Sequence, residues 1–217
     1  MVDLELRVPV ARDLYVVGAG GHAKVVISAI RAAGDRVVAV YDDDPRKWGC
    51  SLLGAPIVGA IPREQGGEPV SGIVAVGGND ARRACAERLA WVAWVTVVHP
   101  RAYVDASARL GPGTVVFAGA VVQPEARLGA HVIVNTSASV DHDCDVGDFA
   151  HLAPGVHLAG GVVVGEGALL GVGAAVTPQR RIGAGAVVGA GAVVVRDVAR
   201  GHTVMGVPAR PRPGTTA

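Results

Sequence analysis

This sequence predicts two units in tandem: an α/β Rossmann-like domain over residues 1–100, then an all-β parallel β-helix of hexapeptide repeats over residues 101–217, with a C-terminal tail. Three observations predict it. A branched aliphatic residue stands at every sixth position from Val104 to Val194, sixteen in succession. A glycine follows that aliphatic every eighteenth residue, at Gly111, Gly129, Gly147, Gly165 and Gly183. Ahead of the repeat, a strand, a glycine-rich loop, a helix and a second strand follow one another as in a βαβ unit.

The repeat is the stronger signal. If about a third of residues are branched aliphatics, a run of this length arises by chance on the order of once in ten million. Eighteen residues make three hexapeptides, so each coil has three flat faces with one inward aliphatic per face, and returns to the same corner. The glycines are expected to mark that corner, where the backbone needs freedom to turn. A little over five coils, stacked at an inter-strand spacing of ~4.8 Å, give a prism roughly 25 Å tall. Each inward aliphatic contributes roughly 1.5–3 kcal/mol on burial. Only the whole stack offsets the ordering entropy of so glycine-rich a chain. Residues between the inward positions are expected to point outward.

In the first hundred residues, Leu14–Val17 reads as a buried strand, Gly18 to His22 as a loop, Ala23–Ala33 as a helix stopped by Gly34, and Arg36–Tyr41 as a second strand closed by Asp42-Asp43-Asp44-Pro45. Gly72–Val76 reads as a strand, Asn79–Ala90 as a helix and Val95–Val98 as a last strand, with His99-Pro100 linking into the prism. The loop lets a phosphate approach backbone N–H groups at a helix N-terminus. The acids after the second strand lie where a ribose hydroxyl would be read. Gly18-x-Gly20-x-x-Ala23 also fits the G/A variant of the dinucleotide fingerprint, so a nicotinamide cofactor is one reading. Another is a tight turn beside a solvated acidic turn.

Composition narrows the function classes. The chain has 31 Gly and 13 Pro but only eight aromatics, so its core is built from small aliphatics. A formal net charge of +1 with scattered Arg gives no footprint for nucleic acid or an anionic membrane. There is no apolar run long enough to span a bilayer. Met1–Arg7 carries acids where a secretion leader would be basic. Cys50, Cys85 and Cys144 are odd in number without metal-type spacing, as expected of free thiols in a reducing cytoplasm. No metal site is expected.

Three segments together carry a family resemblance. They are Gly18-Ala19-Gly20-Gly21-His22-Ala23-Lys24-Val25-Val26, then Asn135 through His142-Asp143-Cys144 to His151, then Gly206-Val207-Pro208-Ala209. The chain resembles, over nearly its whole length, the bacterial sugar acyltransferases of the sialic acid O-acetyltransferase type, which include N-acetyltransferases of nucleotide-linked amino sugars. The resemblance implies a left-handed prism that assembles as a homotrimer, with acetyl-CoA as co-substrate in the groove between neighbouring prisms. It makes the first domain the holder of a nucleotide sugar. Carried over residue by residue, it makes His142 the general base and Asp143, where the family often has Glu, its carboxylate partner. Gly20, Gly21, His22, Asp42, Asp43, Gly77 and Asn135 become acceptor-binding residues. His151 becomes an acetyl-CoA contact, and Arg180 and Arg181 either meet the CoA phosphates or form a solvated corner.

Spacing supports part of this independently. His142 lies two places past the inward Val140 and therefore projects outward, flanked by Asp141 and Asp143, either of which can serve it. His151 follows by nine residues, half a coil, so the two histidines face different directions in one chain and can share a cleft only across a subunit boundary. Acyl transfer from a thioester needs a base titrating near neutrality, which imidazole supplies. The leading expectation is an acetyl-CoA-dependent amino-sugar N-acetyltransferase acting by direct attack. The alternatives are O-acetylation of sialic acid or a related sugar, a non-catalytic trimeric sugar-nucleotide-binding protein, and a nicotinamide-binding domain fused to an inert prism.

Overall fold

The computed structural model describes residues 11–64 and 70–212. The segment Met1–Arg7, read above for a secretion leader, lies outside them, as do residues 213–217 of the expected tail.

The N-terminal domain comprises β1 (Asp13–Val17), α1 (Gly21–Ala32), β2 (Arg36–Tyr41), β3 (Ser51–Leu52), β4 (Ala55–Gly59), β5 (Ser71–Val74), α2 (Asn79–Arg88) and β6 (Ala93–Trp94). The sheet order is β3-β4-β2-β1-β5-β6, parallel except for the β3–β4 hairpin. Leu14 and Val16 of β1 are buried with Ala23, Val26, Ile27 and Ile30 of α1, the apolar stripe that the helical period requires. Sequence reasoning overlooked the hairpin. Its two-residue turn, Leu53-Gly54, has φ of 50° and 76°. Double positive φ is normally signalled by Asn-Gly or Asp-Gly, and Leu gives no such signal.

The repeat forms three parallel sheets, each strand pairing with the one eighteen residues on, as in Val115↔Ile133, Val121↔Ser139 and Arg127↔Asp145. Of the expected last strand, Val95–Val98, only Val97–Val98 forms one, and a separate strand precedes it. Ala93–Trp94 closes the N-terminal sheet, whereas Val97–Val98 pairs with Val115–Val116 and is already the first rung of the prism, ahead of residue 100. From Val116 onward every expected inward aliphatic is almost wholly buried; Val104 and Leu110 in the first coil are partly covered.

Two expectations about the coil need correction. The positions between the aliphatics are not all outward, because a second residue turns in two places before most of them: Ala120, Ala126, Val132, Ala138, Cys144, Ala150 and so on to Ala192. A triangular coil is too narrow for two large side chains per face, so a small one alternates with a large one. Cys144 is one of these packing residues. The glycines at 111, 129, 147, 165 and 183 do not turn the chain. The left-handed residue of each turn falls two places later, and Glu125, His131, Ser137, Asp143, Phe149 and Gln179 adopt it without being glycine. The corner glycines are needed for stacking, since a Cβ at Gly147 would stand 2.7 Å from the amide nitrogen of Glu166 one coil on.

The two units share one seam. Val97, Val115, Phe117 and Ile133 of the prism pack into the same core as α1. Beside them α2 docks through Asn79, whose amide donates to the carbonyls of Gly167 (2.8 Å) and Ala168 (3.2 Å), and through Arg83, which pairs with Glu166 and lies 4.7 Å over the Phe149 ring.

Candidate active site

His142 stands exposed at the corner between the strands Ser139–Val140 and Asp145–Val146. Its backbone N–H donates to Asp141 Oδ1 at 2.8 Å, while its Nδ1 lies 2.7 Å from Asp143 Oδ2. Of the two flanking acids it is therefore Asp143 that meets the ring. Asp143 occupies the left-handed position of the turn (φ 60°), which Asp tolerates better than most residues. The hydrogen bond that the ring donates to Asp143, followed by the charge of Asp141, raises the imidazole above its ordinary pKa. A carboxylate at Nδ1 keeps the proton there in the neutral ring and leaves the Nε2 lone pair free to accept one.

A groove climbs the corner from His142. Gly160 lies one coil on, and a Cβ there would come within 2.6 Å of His142 Cε1 and 2.7 Å of Nε2. Gly161, Pro178 and Gln179 complete the groove. The absence of side chains at Gly160 and Gly161 is what makes it a groove. Sequence reasoning did not single them out, although adding one eighteen-residue period to 142 and 143 finds them. Arg180 stands at the groove's edge, its Nε donating to Pro178 O at 3.1 Å and its guanidinium 3.8 Å from Asp197. The neighbouring Arg181 is exposed, and its backbone N–H donates to the same Asp197 at 2.9 Å.

A second cluster forms at the seam. The β1–α1 loop, Asp42, Lys47 and Ala75–Gly77 line an open groove. Gly20 caps α1 in an extended conformation without a side-chain cap, and nothing lies within 4 Å of a Cβ at Gly20 or Gly21, so the helix amides there are approachable. The acids are braces, not a solvated turn. Asp42 Oδ2 accepts from the Ala19 amide (2.6 Å) and Lys47 Nζ (3.0 Å), and its Oδ1 accepts from the Asp44 amide (3.0 Å). Partial burial pushes the Asp42 carboxyl up, but these donors together carry it below the usual range. Asp43 holds the Ile61 amide at 3.0 Å and Arg88 at 3.1 Å.

His22 projects from α1 into this seam, edge-on to Phe117 with ring centroids 5.6 Å apart and 6.3 Å from His151. Burial, and then the charges of His151 and Arg82, lower its pKa to about 4, so the ring is neutral; its Nε2 has no partner among the described residues. Asn135 Nδ2 lies 3.3 Å from His151 Nε2, and its Oδ1 accepts the Thr136 amide at 2.8 Å. Burial and then Arg82 hold His151 at about 4, opposed by a hydrogen bond to the Gly77 carbonyl. His22, Gly77, Asn135 and His151 are thus gathered within one chain, whereas His142 and Asp143 occupy a different corner, as the nine-residue offset requires. Sequence reasoning overlooked Arg82, which is 1% exposed at the centre of the seam. Its signal was a charged residue on an apolar stripe, Arg82 with Ala86 and Leu89 at i, i+4 and i+7. Among the described residues no group of three or more His, Cys, Asp or Glu is placed to hold a metal, and no helix is long and apolar enough to cross a membrane.

Comparison with known proteins agrees with this anatomy. Residues 13–89 match the family model of the PglD N-terminal domain. The chain is 41% identical over 108 residues to the UDP-N-acetylbacillosamine N-acetyltransferase of Bacillus subtilis, a match spanning 48% of this chain and half the length of that protein. It superposes on perosamine N-acetyltransferase from Caulobacter crescentus, solved as a histidine-to-asparagine mutant with CoA and GDP-perosamine, at a TM-score of 0.85 and 44% identity over 92% of this chain and 96% of that one. The acetyltransferase domain of PglB from Neisseria gonorrhoeae matches at a TM-score of 0.86 and 42% identity over 93% and 100%.

Proposed function

This chain belongs to the nucleotide-sugar N-acetyltransferases that join a PglD-type N-terminal domain to a hexapeptide-repeat β-helix, and we propose from that premise that it transfers the acetyl group of acetyl-CoA to the amine of a nucleotide-linked amino sugar. The observation that carries the reaction is the His142–Asp143 pair at the foot of a groove opened by Gly160 and Gly161. The neutral amine attacks the thioester carbonyl carbon, a C–N bond forms, and the carbonyl π electrons move to oxygen. His142 Nε2 takes the amine proton while Asp143 holds Nδ1–H and stabilises the imidazolium. Collapse of the tetrahedral species breaks the C–S bond, and the departing thiolate takes the proton from the imidazolium. The thioester is already activated, so no acyl-enzyme is required.

The seam supplies the acceptor site in this reading. The amides at Gly20 and Gly21, the α1 N-terminus and Lys47 favour a diphosphate. Asp42 and Asp43 hold the loop that presents those amides, and His22, Gly77 and Asn135 face the sugar. Three such chains assemble as a homotrimer, which brings one subunit's His142 groove, with Arg180 and Arg181 at its edge, to the neighbour's His151, and acetyl-CoA lies between them. The free thiols Cys50, Cys85 and Cys144 suit a cytoplasmic enzyme.

The test is thiol release from acetyl-CoA by wild type and His142→Ala, against UDP-, dTDP- and GDP-linked 4-amino sugars and free sialic acid. Release with an amino sugar that is lost in a folded His142→Ala protein supports the proposal. Release with sialic acid alone replaces an amine acceptor with a hydroxyl, and silence across the panel refutes the catalytic reading.

A further inference from the structure

Arg82 is a buried cation without a carboxylate partner among the described residues. Its guanidinium donates to prism carbonyls, from Nε to His131 O (2.9 Å) and from Nη2 to Phe149 O (2.7 Å). It also donates to the β5–α2 loop, from Nη1 to Val76 O (3.2 Å) and Gly77 O (3.1 Å), and from Nη2 to Asn79 Oδ1 (2.9 Å). Burying a charge against neutral carbonyls is costly, and an apolar contact would join two domains without that cost. What a guanidinium alone provides is a rigid planar fork of five donors aimed in several directions at once.

The fork aims at the functional cluster. Besides the bond from Nη1 to the Gly77 carbonyl, its Nη2 reaches Ala150 O at 3.5 Å, the residue immediately before His151. Asn135 Oδ1 accepts the Thr136 amide, so its Nδ2 faces His151 as a donor and His151 Nε2 accepts. The same loop abuts His22, whose Cβ lies 3.7 Å from where a Gly77 Cβ would stand. Arg82 therefore ties the Gly77 loop to the strand that carries His151.

We propose that Arg82 is a positioning residue: by clamping the Val76 and Gly77 carbonyls to the prism it fixes the wall of the nucleotide groove and the placement of His151 beside it. The proposal rests on the acetyltransferase reading for its kinetic consequence but not for its structural one.

The test uses the full-length chain with Arg82→Met, which keeps apolar bulk, and Arg82→Lys, which keeps the charge but loses the fork. Both are first checked for folding and assembly by thermal melt and size-exclusion chromatography. Each is expected to lower kcat/KM for the sugar nucleotide by about tenfold or more, the scale of losing one or two well-made hydrogen bonds to a charged group. Adding Arg82→Met to His151→Ala should cost little beyond the larger single effect. Independent multiplication of the two effects, or full rescue by Lys, overturns the proposal. Hydrogen exchange is the second readout. In folded Arg82→Met, peptides covering Ala75–Gly78 should exchange faster while the distal coils do not change, and unchanged protection there overturns the clamp. A wild type silent in the thiol assay sinks the acetyltransferase reading instead, and exchange still decides the clamp.

Discussion

Acidification to pH 5 should weaken this protein well before its carboxylates titrate. His22, His131 and His151 are held neutral by burial, each with a pKa of about 4. An unfolded histidine titrates at about 6.5. Between these values the unfolded chain binds more protons than the native one, so the stabilisation is complete above about pH 6.5 and is lost as pH falls toward 4. At pH 5 the loss is about 2 kcal/mol for one fully buried ring. His131 is 4% exposed and takes the full effect, while His22 and His151 keep solvent contact. Half weight for those two gives about 4 kcal/mol in total. His142 works in the opposite direction because Asp143 raises its pKa, but it is exposed and its contribution is small. Asp42 and Asp44 are held below the usual carboxylate range, Asp44 at about 2, and stay ionised in this window. At a urea slope of about 2 kcal/mol per M, the midpoint should fall by about 2 M between pH 7 and pH 5 at fixed protein concentration. His131→Phe should remove about half of that fall, since His131 Nδ1 has no partner among the described residues and its ring stacks on Phe149 and meets Trp94 edge-on. A midpoint that holds steady from pH 7 to pH 5, or a fall undiminished by His131→Phe, would refute the reasoning.

Three further outcomes follow from the geometry. Gly160→Ala should push the His142 ring off the groove floor and reduce turnover by about tenfold or more, with the melting temperature nearly unchanged because the corner is open; steady-state kinetics beside a thermal melt separates the two. Asp143→Asn should lower the His142 pKa, shifting the acid limb of the kcat/KM profile to lower pH while the plateau drops by about 10- to 100-fold; a limb that does not move would assign the carboxylate role elsewhere. Leu152→Ala, at a fully buried inward position, should cost about 2–5 kcal/mol by chemical denaturation.

The prism was legible because a solenoid repeats its physics: each coil must bury the same positions, and sixteen agreeing hexapeptides leave little choice of register. The same regularity hid the second inward position, since alanine alternating with glycine in a chain this rich in both carries little contrast. The role of the corner glycines was misread because intrachain sequence shows where a turn is but not how near the next coil's backbone passes. His142 and Asp143 stood out as charges on an apolar frame. Arg82 did not, because all its acceptors but Asn79 Oδ1 are backbone carbonyls, up to 68 residues away, and a carbonyl is the same whatever the residue. The Leu53-Gly54 hairpin was lost for a related reason, as tertiary pairing imposed a turn that local propensity disfavours.

Columns of equivalent residues eighteen apart also separate the length of a binding channel from the reaction at its foot. His142, Gly160 and Pro178 are successive storeys of one column. A coil inserted above Gly161 would lengthen that column by ~4.8 Å without touching the imidazole or its carboxylate. Under the proposed function, donor reach and proton chemistry are separately adjustable in this architecture, by counting coils rather than by rebuilding the base.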